Sequence, residues 1–344
     1  METPDRNWVK ILAQYKQPND SRGFFELGLT FGLFVSGWVA VWAILQFNIW
    51  LALMATIIPA AFLVRLFAIQ HDCGHYSLFS SRAVNDWVGR SLGVLTATPY
   101  DYWRHAHALH HASSGNLDKR GFGDITTLTA EEYEARTPSG KFLYRLYRNP
   151  IVLFIIGPAY MFFLQHRLPI GAMNRGAKPW ISTMATNAAM LAIALGLIYW
   201  IGWADFLIIQ VPIVFFGAVA GVWLFYVQHQ YEETSWENDD KWSREHSALH
   251  GSSYYALPKP LMWLTANIGI HHVHHLSAKI PFFRLPQIVK DHPELKEIGR
   301  LTVWDSIKCI PLTLWDEGKK EMISFRQHRK QLAAAKLVSE PVPA

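Results

Sequence analysis

Two cysteines, Cys73 and Cys309, are all that the 344 residues contain. That scarcity excludes a disulfide framework and a thiolate cage for a metal. Charge is sparse as well: Asp, Glu, Lys and Arg make up 17% of the chain against 51% hydrophobic residues. The charges sit between long apolar blocks. The formal net charge of +5 resides in the loops that flank those blocks, a placement suited to anionic lipid headgroups, and it gives no support to nucleic-acid binding. Near residue 1 stand acidic residues and no apolar core, so no cleaved leader is expected.

What the chain does have is length of apolar run. Leu27–Val64 is 38 residues without a charge, roughly twice the ~20 that cross a bilayer. Gln46, Phe47, Asn48 and Trp50 mark its middle as an interfacial turn, so the run reads as a helical hairpin of spans about 27–46 and 49–69. Ile181–Trp203 and Phe206–Gln228 are uncharged in the same way. They read as a second hairpin, spans 181–203 and 206–228, with its turn at Ala204 and Asp205. The turns 46–50 and 202–205 lack Lys and Arg, whereas 1–22, 82–180 and 229–344 are rich in both. The positive-inside rule therefore puts those three regions on the cytosolic side.

Ile151–Gln165 is apolar but short, and it carries Gly157 and Pro158. It is expected to be interfacial or re-entrant, because a fifth span there would reverse everything downstream. Trp87–Pro99 is expected along the interface, Glu232–Glu245 as a solvated loop, 316–336 as an exposed charged helix, and 337–344 as a frayed end.

Histidine is concentrated where the spans end. His71 and His75 follow the first hairpin at i, i+4 spacing; His107, His110 and His111 form an HxxHH box; His271, His274 and His275 form another; and His229 closes the fourth span. Helical spacing of three and four puts such side chains on one face, and imidazole is the commonest metal ligand. Nine ligands exceed what one tetrahedral zinc takes and suit two ions with four or five imidazoles each. Neutral ligands leave a dication's charge uncompensated, so acceptors must orient the rings, and Asp72, Asp101, Asp118 and Asp124 are the candidates. His105 and His272 are expected to stay outside the ligand set, His246 and His250 to be peripheral, and His166, His292 and His328 to lack partners. Two redox-capable ions beside a bilayer suit oxidation of an unactivated C–H bond with O2, which side chains cannot perform. A metal transporter would place polar ligands near the bilayer midplane, and these spans have none.

With HDCGH at 71–75, HxxHH at 107–111 and HxxHH at 271–275, the chain resembles the membrane fatty acid desaturases of the acyl-lipid type over about residues 25–290. Gly123-Asp124-Ile125-Thr126-Thr127-Leu128-Thr129 and Asn267–Leu276 are similar to bacterial delta-12 (omega-6) members. The resemblance implies an all-α integral membrane fold in one domain, 1–344. In it four transmembrane helices and interfacial helices carry a cytosolic cap with a di-iron site, in a bacterial inner membrane. It implies two non-haem Fe ions held by His71, His75, His107, His110, His111, His271, His274 and His275, with His229 as the ninth ligand. It also implies O2 as co-substrate, an acyl chain on a lipid, CoA or acyl carrier protein, and a separate electron donor such as ferredoxin or cytochrome b5. A hydroxylase, acetylenase, epoxygenase or carotenoid-modifying enzyme would share this scaffold. The first box departs from many plant relatives in reading His75-Tyr76, so regiochemistry is not carried over from them. His271 stands where front-end members have Gln.

Overall fold

The computed structural model describes residues 7–121 and 123–339. Four helices are long and apolar enough to cross a membrane: α1 (Asp20–Leu45), α2 (Ile49–Gly74) and, after a long intervening segment, a second pair. Asn19 starts α1 by accepting from the Arg22 backbone N–H. Along α1 the buried positions are Gly23, Glu26, Thr30, Phe34, Trp38 and Val41, a seam at three- and four-residue spacing that packs on α2. Asn48 caps the start of α2 through the N–H groups of Trp50 and Leu51. That helix is broken at Thr56, whose hydroxyl bonds back to the Leu53 carbonyl at 2.6 Å. It runs on to Gly74, so His71 and Asp72 belong to the span itself. The expectation that it stops at 69 is corrected by more than a turn.

The amphipathic helix α3 (Arg82–Leu95) begins before the expected Trp87 because Ser81 caps it, accepting from the Val84 N–H. Helix α4 (Tyr100–Ser113) then carries the second box. In the segment expected to be interfacial or re-entrant, Pro138–Tyr147 and Val152–Arg167 meet at a bend of 58°, the shape of a broken span or of a re-entrant loop. A wide turn in which the Gly157 N–H reaches the Val152 carbonyl precedes Pro158. The parity is fixed by contact, since His274 Nε2 lies 3.1 Å from His111 Nε2, which a fifth crossing would forbid.

The second pair is α5 (Ala177–Ile201) and α6 (Trp203–His229), and α5 is mostly exposed. Their turn is Gly202, at φ +86°, and not Ala204 and Asp205, which lie in the first turn of α6. An acidic side chain there is favoured by the helix dipole. Two polar contacts tie the pairs together: Trp38 Nε1 donates to Gln210 Oε1 at 3.1 Å, and Gln46 Nε2 to Asp205 Oδ2 at 3.1 Å.

The fold is mostly helical, as expected, and among the described residues it also holds two small sheets. Strand β1 (Leu128–Thr129) pairs in parallel with β4 (Leu312–Asp316), which pairs antiparallel with β5 (Glu321–Ser324). The short strands β2 (Tyr254–Tyr255) and β3 (Arg300–Leu301) pair in parallel. An exposed helix over 316–336 is therefore corrected. Leu314, Trp315, Met322 and Ile323 are buried in the hairpin, and helix α9 begins only at Phe325 and ends at Ser339. The frayed end expected at 337–344 is helical to Ser339, and 340–344 lie outside the described residues. The loop 232–245 is less solvated than expected, for Thr234 and Trp236 are buried and the Glu237 backbone bonds to Gly115 and Leu117. Two further cap helices matter to the site: α7 (Lys259–Leu264) and α8 (His271–Leu276).

One charged cluster anchors the cap to the spans. Arg65 of α2 and Glu26 of α1 pair at 2.6 Å with side chains 1% and 2% exposed. Arg65 also donates to Thr30 Oγ1 at 3.2 Å and to the Trp263 carbonyl at the end of α7, and it lies 4.2 Å over the Trp263 ring. Removing one partner of such a pair strands a charge, so Glu26→Ala should cost about 3–5 kcal/mol. The double variant Glu26→Leu/Arg65→Met should recover most of the lost midpoint temperature in detergent-solubilised protein.

Candidate metal centre

Four helices contribute histidines to the site. His71 and His75 come from the end of α2, His107, His110 and His111 from α4, His229 from the last turn of α6, and His271, His274 and His275 from α8. The nine imidazoles divide into two groups whose ligand atoms lie within 4.8 Å of one another. One holds His71, His75, His107, His111 and His274, and the other His110, His229, His271 and His275.

The division explains the HxxHH spacing. In α4 the i, i+4 pair His107 and His111 joins the five-histidine group while His110 turns to the other. In α8 the i, i+4 pair His271 and His275 joins the four-histidine group while His274 crosses to the first. The two boxes thus interleave.

Within the five-histidine group successive Nε2 atoms are 3.3 Å (His71–His75), 3.0 Å (His75–His107), 3.0 Å (His107–His111) and 3.1 Å (His111–His274) apart. In the other, His110–His229, His229–His275 and His275–His271 are each 3.1 Å apart. Imidazole nitrogens about 2.0–2.1 Å from a shared ion sit about 3 Å apart at right angles. The donor sets fit a metal ion each.

Burial favours the neutral form of six of these rings. Desolvation pushes His75, His107, His111, His271, His274 and His275 well below the usual imidazole value of 6.5, and for each the neighbouring imidazoles add to the shift. Neutral imidazole is the form that binds metal.

The second nitrogens are held by a different set of groups. His71 Nδ1 lies 3.3 Å from Asp72 Oδ1, His110 Nδ1 contacts Asp124 Oδ1, and His229 Nδ1 donates to the Phe225 carbonyl at 3.0 Å. Of the four carboxylates considered, Asp101 instead pairs with Arg90 at 2.9 Å, and Asp118 accepts from the Asp239 backbone at 2.8 Å. Asp72 also reaches the segment that follows the third box, since its Oδ2 accepts from the Phe282 N–H at 2.7 Å.

His272 stays out of both groups, its Nε2 donating to the Leu295 carbonyl at 2.8 Å. His105 is exposed beside Arg175, and His246 contacts Ser235 with the His250 ring tilted against it at 4.7 Å. The expectation that His166, His292 and His328 lack partners is corrected. His328 bonds to Glu134 at 2.9 Å, the Trp8 and Tyr15 rings pack on His292, and the Phe162 ring packs on His166.

Sequence reasoning missed the aromatic lining. Trp103 stacks on His107 at 4.8 Å, Phe225 packs on His229 at 4.8 Å and on His110 at 5.1 Å, and Phe67 meets Trp103 at 5.3 Å. The signal was there: an aromatic residue precedes His71, His107 and His229 by four positions, one helical turn.

Residues 47–305 match the family model described as "Fatty acid desaturase". The chain is 43% identical over 318 residues to a protein of Bacillus subtilis (strain 168) named "Fatty acid desaturase", covering 92% of this chain and 90% of that one. It is 27% identical to the "sn-1 acyl-lipid omega-3 desaturase (ferredoxin)" of Nostoc sp. (strain 36), covering 80% and 76%. To the "sn-1 oleoyl-lipid 12-desaturase" of Picosynechococcus sp. (strain ATCC 27264 / PCC 7002 / PR-6) it is 25% identical, covering 87% of each.

Two outcomes follow from the geometry. His271→Ala should lower the metal content of purified protein, while His272→Ala should leave it at the wild-type level, as read by elemental analysis. After chelation, the folded chain should lose stability as pH falls below about 6.5. His272 is held near 4 by burial and the buried site histidines are lowered too, so the unfolded chain binds more protons in that window and is favoured. Midpoint temperatures recorded from about pH 8 to about pH 5 check the slope, which must be positive with pH.

Proposed function

Because this chain belongs to the fatty acid desaturase family, we propose that it is an O2-dependent acyl-lipid desaturase of the delta-12 (omega-6) type that forms a cis double bond in a membrane acyl chain. The observation that carries this reading is the convergence of nine Nε2 atoms into two groups with metal-ligand spacing at the ends of two membrane hairpins. The nine histidines are the proposed ligands of two iron ions. Such ions would supply the O2 reduction that removal of hydrogen from an unactivated methylene requires. The overall change is one acyl chain, O2, two electrons and two protons going to an alkene and two waters.

The chain's own residues hold the ligands, exclude water and bring the lipid. All of the four-histidine group is buried, and the Phe225 ring lies against two of its members. Exposed apolar side chains on α5, such as Leu191, Ile193 and Leu195, put the protein in the solvent from which the substrate comes. The same topology supports an active site on the cytosolic face of the cell membrane, where a separate ferredoxin- or cytochrome b5-like donor supplies electrons. The ferredoxin named for the Nostoc relative supports that class of donor. The 12-desaturase name of the Picosynechococcus relative supports the regiochemistry.

Expression in a host rich in monounsaturated lipid, followed by fatty-acid profiling, tests the reading. A diene with its new cis bond at carbon 12, absent with His274→Ala, is expected. A hydroxylated product would overturn desaturation, and a bond elsewhere would overturn the regiochemistry alone.

A further inference from the structure

We propose that Asp124 is a positioning residue for the four-histidine group. It fixes the tautomer and rotation of His110 and sets a carboxylate behind that group. The proposal rests on the metal-centre reading above and adds to it a residue outside all three boxes.

His110 is gripped at both nitrogens. Its Nε2 faces His229 Nε2 at 3.1 Å, inside the group, and its Nδ1 contacts Asp124 Oδ1. An ionised carboxylate only accepts, so the proton stands on Nδ1 and the lone pair on Nε2, where an ion needs it. The two side chains are 2% and 8% exposed, and a charge-assisted bond withdrawn from water is at its strongest.

Charge points the same way. Four neutral imidazoles leave a dication uncompensated, and among the described residues Asp124 is the carboxylate in contact with this group. The five-histidine group has a counterpart in Asp72, 3.3 Å from His71 Nδ1. Each group therefore has one carboxylate behind one of its ligands.

The carboxylate is delivered by a loop braced at both ends. Gly123 has φ +91°, and a Cβ there would come 3.0 Å from the Ala106 carbonyl of α4, so only glycine lets the loop lie this close to the turn above His110. Three residues beyond Asp124, Thr127 Oγ1 donates to Gln230 Oε1 at 3.1 Å, next to His229. Asp124 is thus referenced to the two helices that supply His110 and His229.

The test uses full-length protein loaded with 57Fe, with Mössbauer spectra and iron retention against a chelator as readouts. Asp124→Asn is expected to alter the spectral component of one site and to weaken iron there by about 10- to 100-fold, leaving the other component as in wild type. Asp124→Glu should restore part of the retention. Asp118→Asn, in the same loop but bonded to the Asp239 backbone, should behave as wild type. An Asp124→Asn protein with wild-type spectrum and retention overturns the proposal. So does equal loss at both sites, or the same loss with Asp118→Asn, since either would mean that the loop matters only for folding. Wild-type protein that takes up no iron would instead overturn the metal-centre reading itself.

Discussion

The structure depends on keeping nitrogen lone pairs pointed at one another, free of protons and of water. Two neutral imidazoles that face each other at about 3 Å without a shared proton repel, and nothing in either ring corrects the contact. The arrangement must be imposed from outside by the helices that carry the rings. The part of α2 after Thr56 runs unbroken to Gly74 and α6 runs to His229, so that His71 and His229 inherit the rigidity of spans 26 and 27 residues long. The boxes on α4 and α8 are then pressed against those ends by aromatic packing, with Trp103 on His107 and Phe225 on His110.

The Arg65–Glu26 pair serves the same constraint at a distance. Helix α8 is only six residues long, too short to hold its position by its own hydrogen bonds. It is anchored on either side in sequence. Before it, the end of α7 accepts from Arg65; after it, the Phe282 N–H donates to Asp72, the residue beside His71. Both anchors lie on α2. A buried charge and a box carboxylate, Arg65 and Asp72, seven residues and so two turns apart along the helix, together bind the third box to the first.

The spans were legible in the sequence because nothing but a membrane makes use of 38 consecutive uncharged residues, and the boxes because helical spacing converts HxxHH directly into shared faces. What escaped was whatever depends on long-range partners. Glu26 lies 39 residues from Arg65, and before the two are seen together it looks like the polar residue that ends a span. Asp205 was mistaken for a turn residue because an acidic side chain suits a loop and the first turn of a helix equally well, and the backbone freedom of Gly202 decided between them. The β4–β5 hairpin was hidden by the charged turn Asp316–Lys320, since strands of five and four residues give little alternation to read. Asp124 was one of four equivalent carboxylates in sequence, and only the fold of its loop separated it from Asp101 and Asp118.

The interleaving of the two HxxHH boxes has a consequence for how far apart two ions would sit. Among the described residues neither donor group contains a carboxylate among its convergent atoms, so the side chains of the two groups are not joined by a shared carboxylate. The spacing is set by the pitch of α4 and α8, on each of which one turn sends neighbouring histidines to opposite centres. The helix itself is the ruler: the two donor groups are held at a separation that the rise of one helical turn sets.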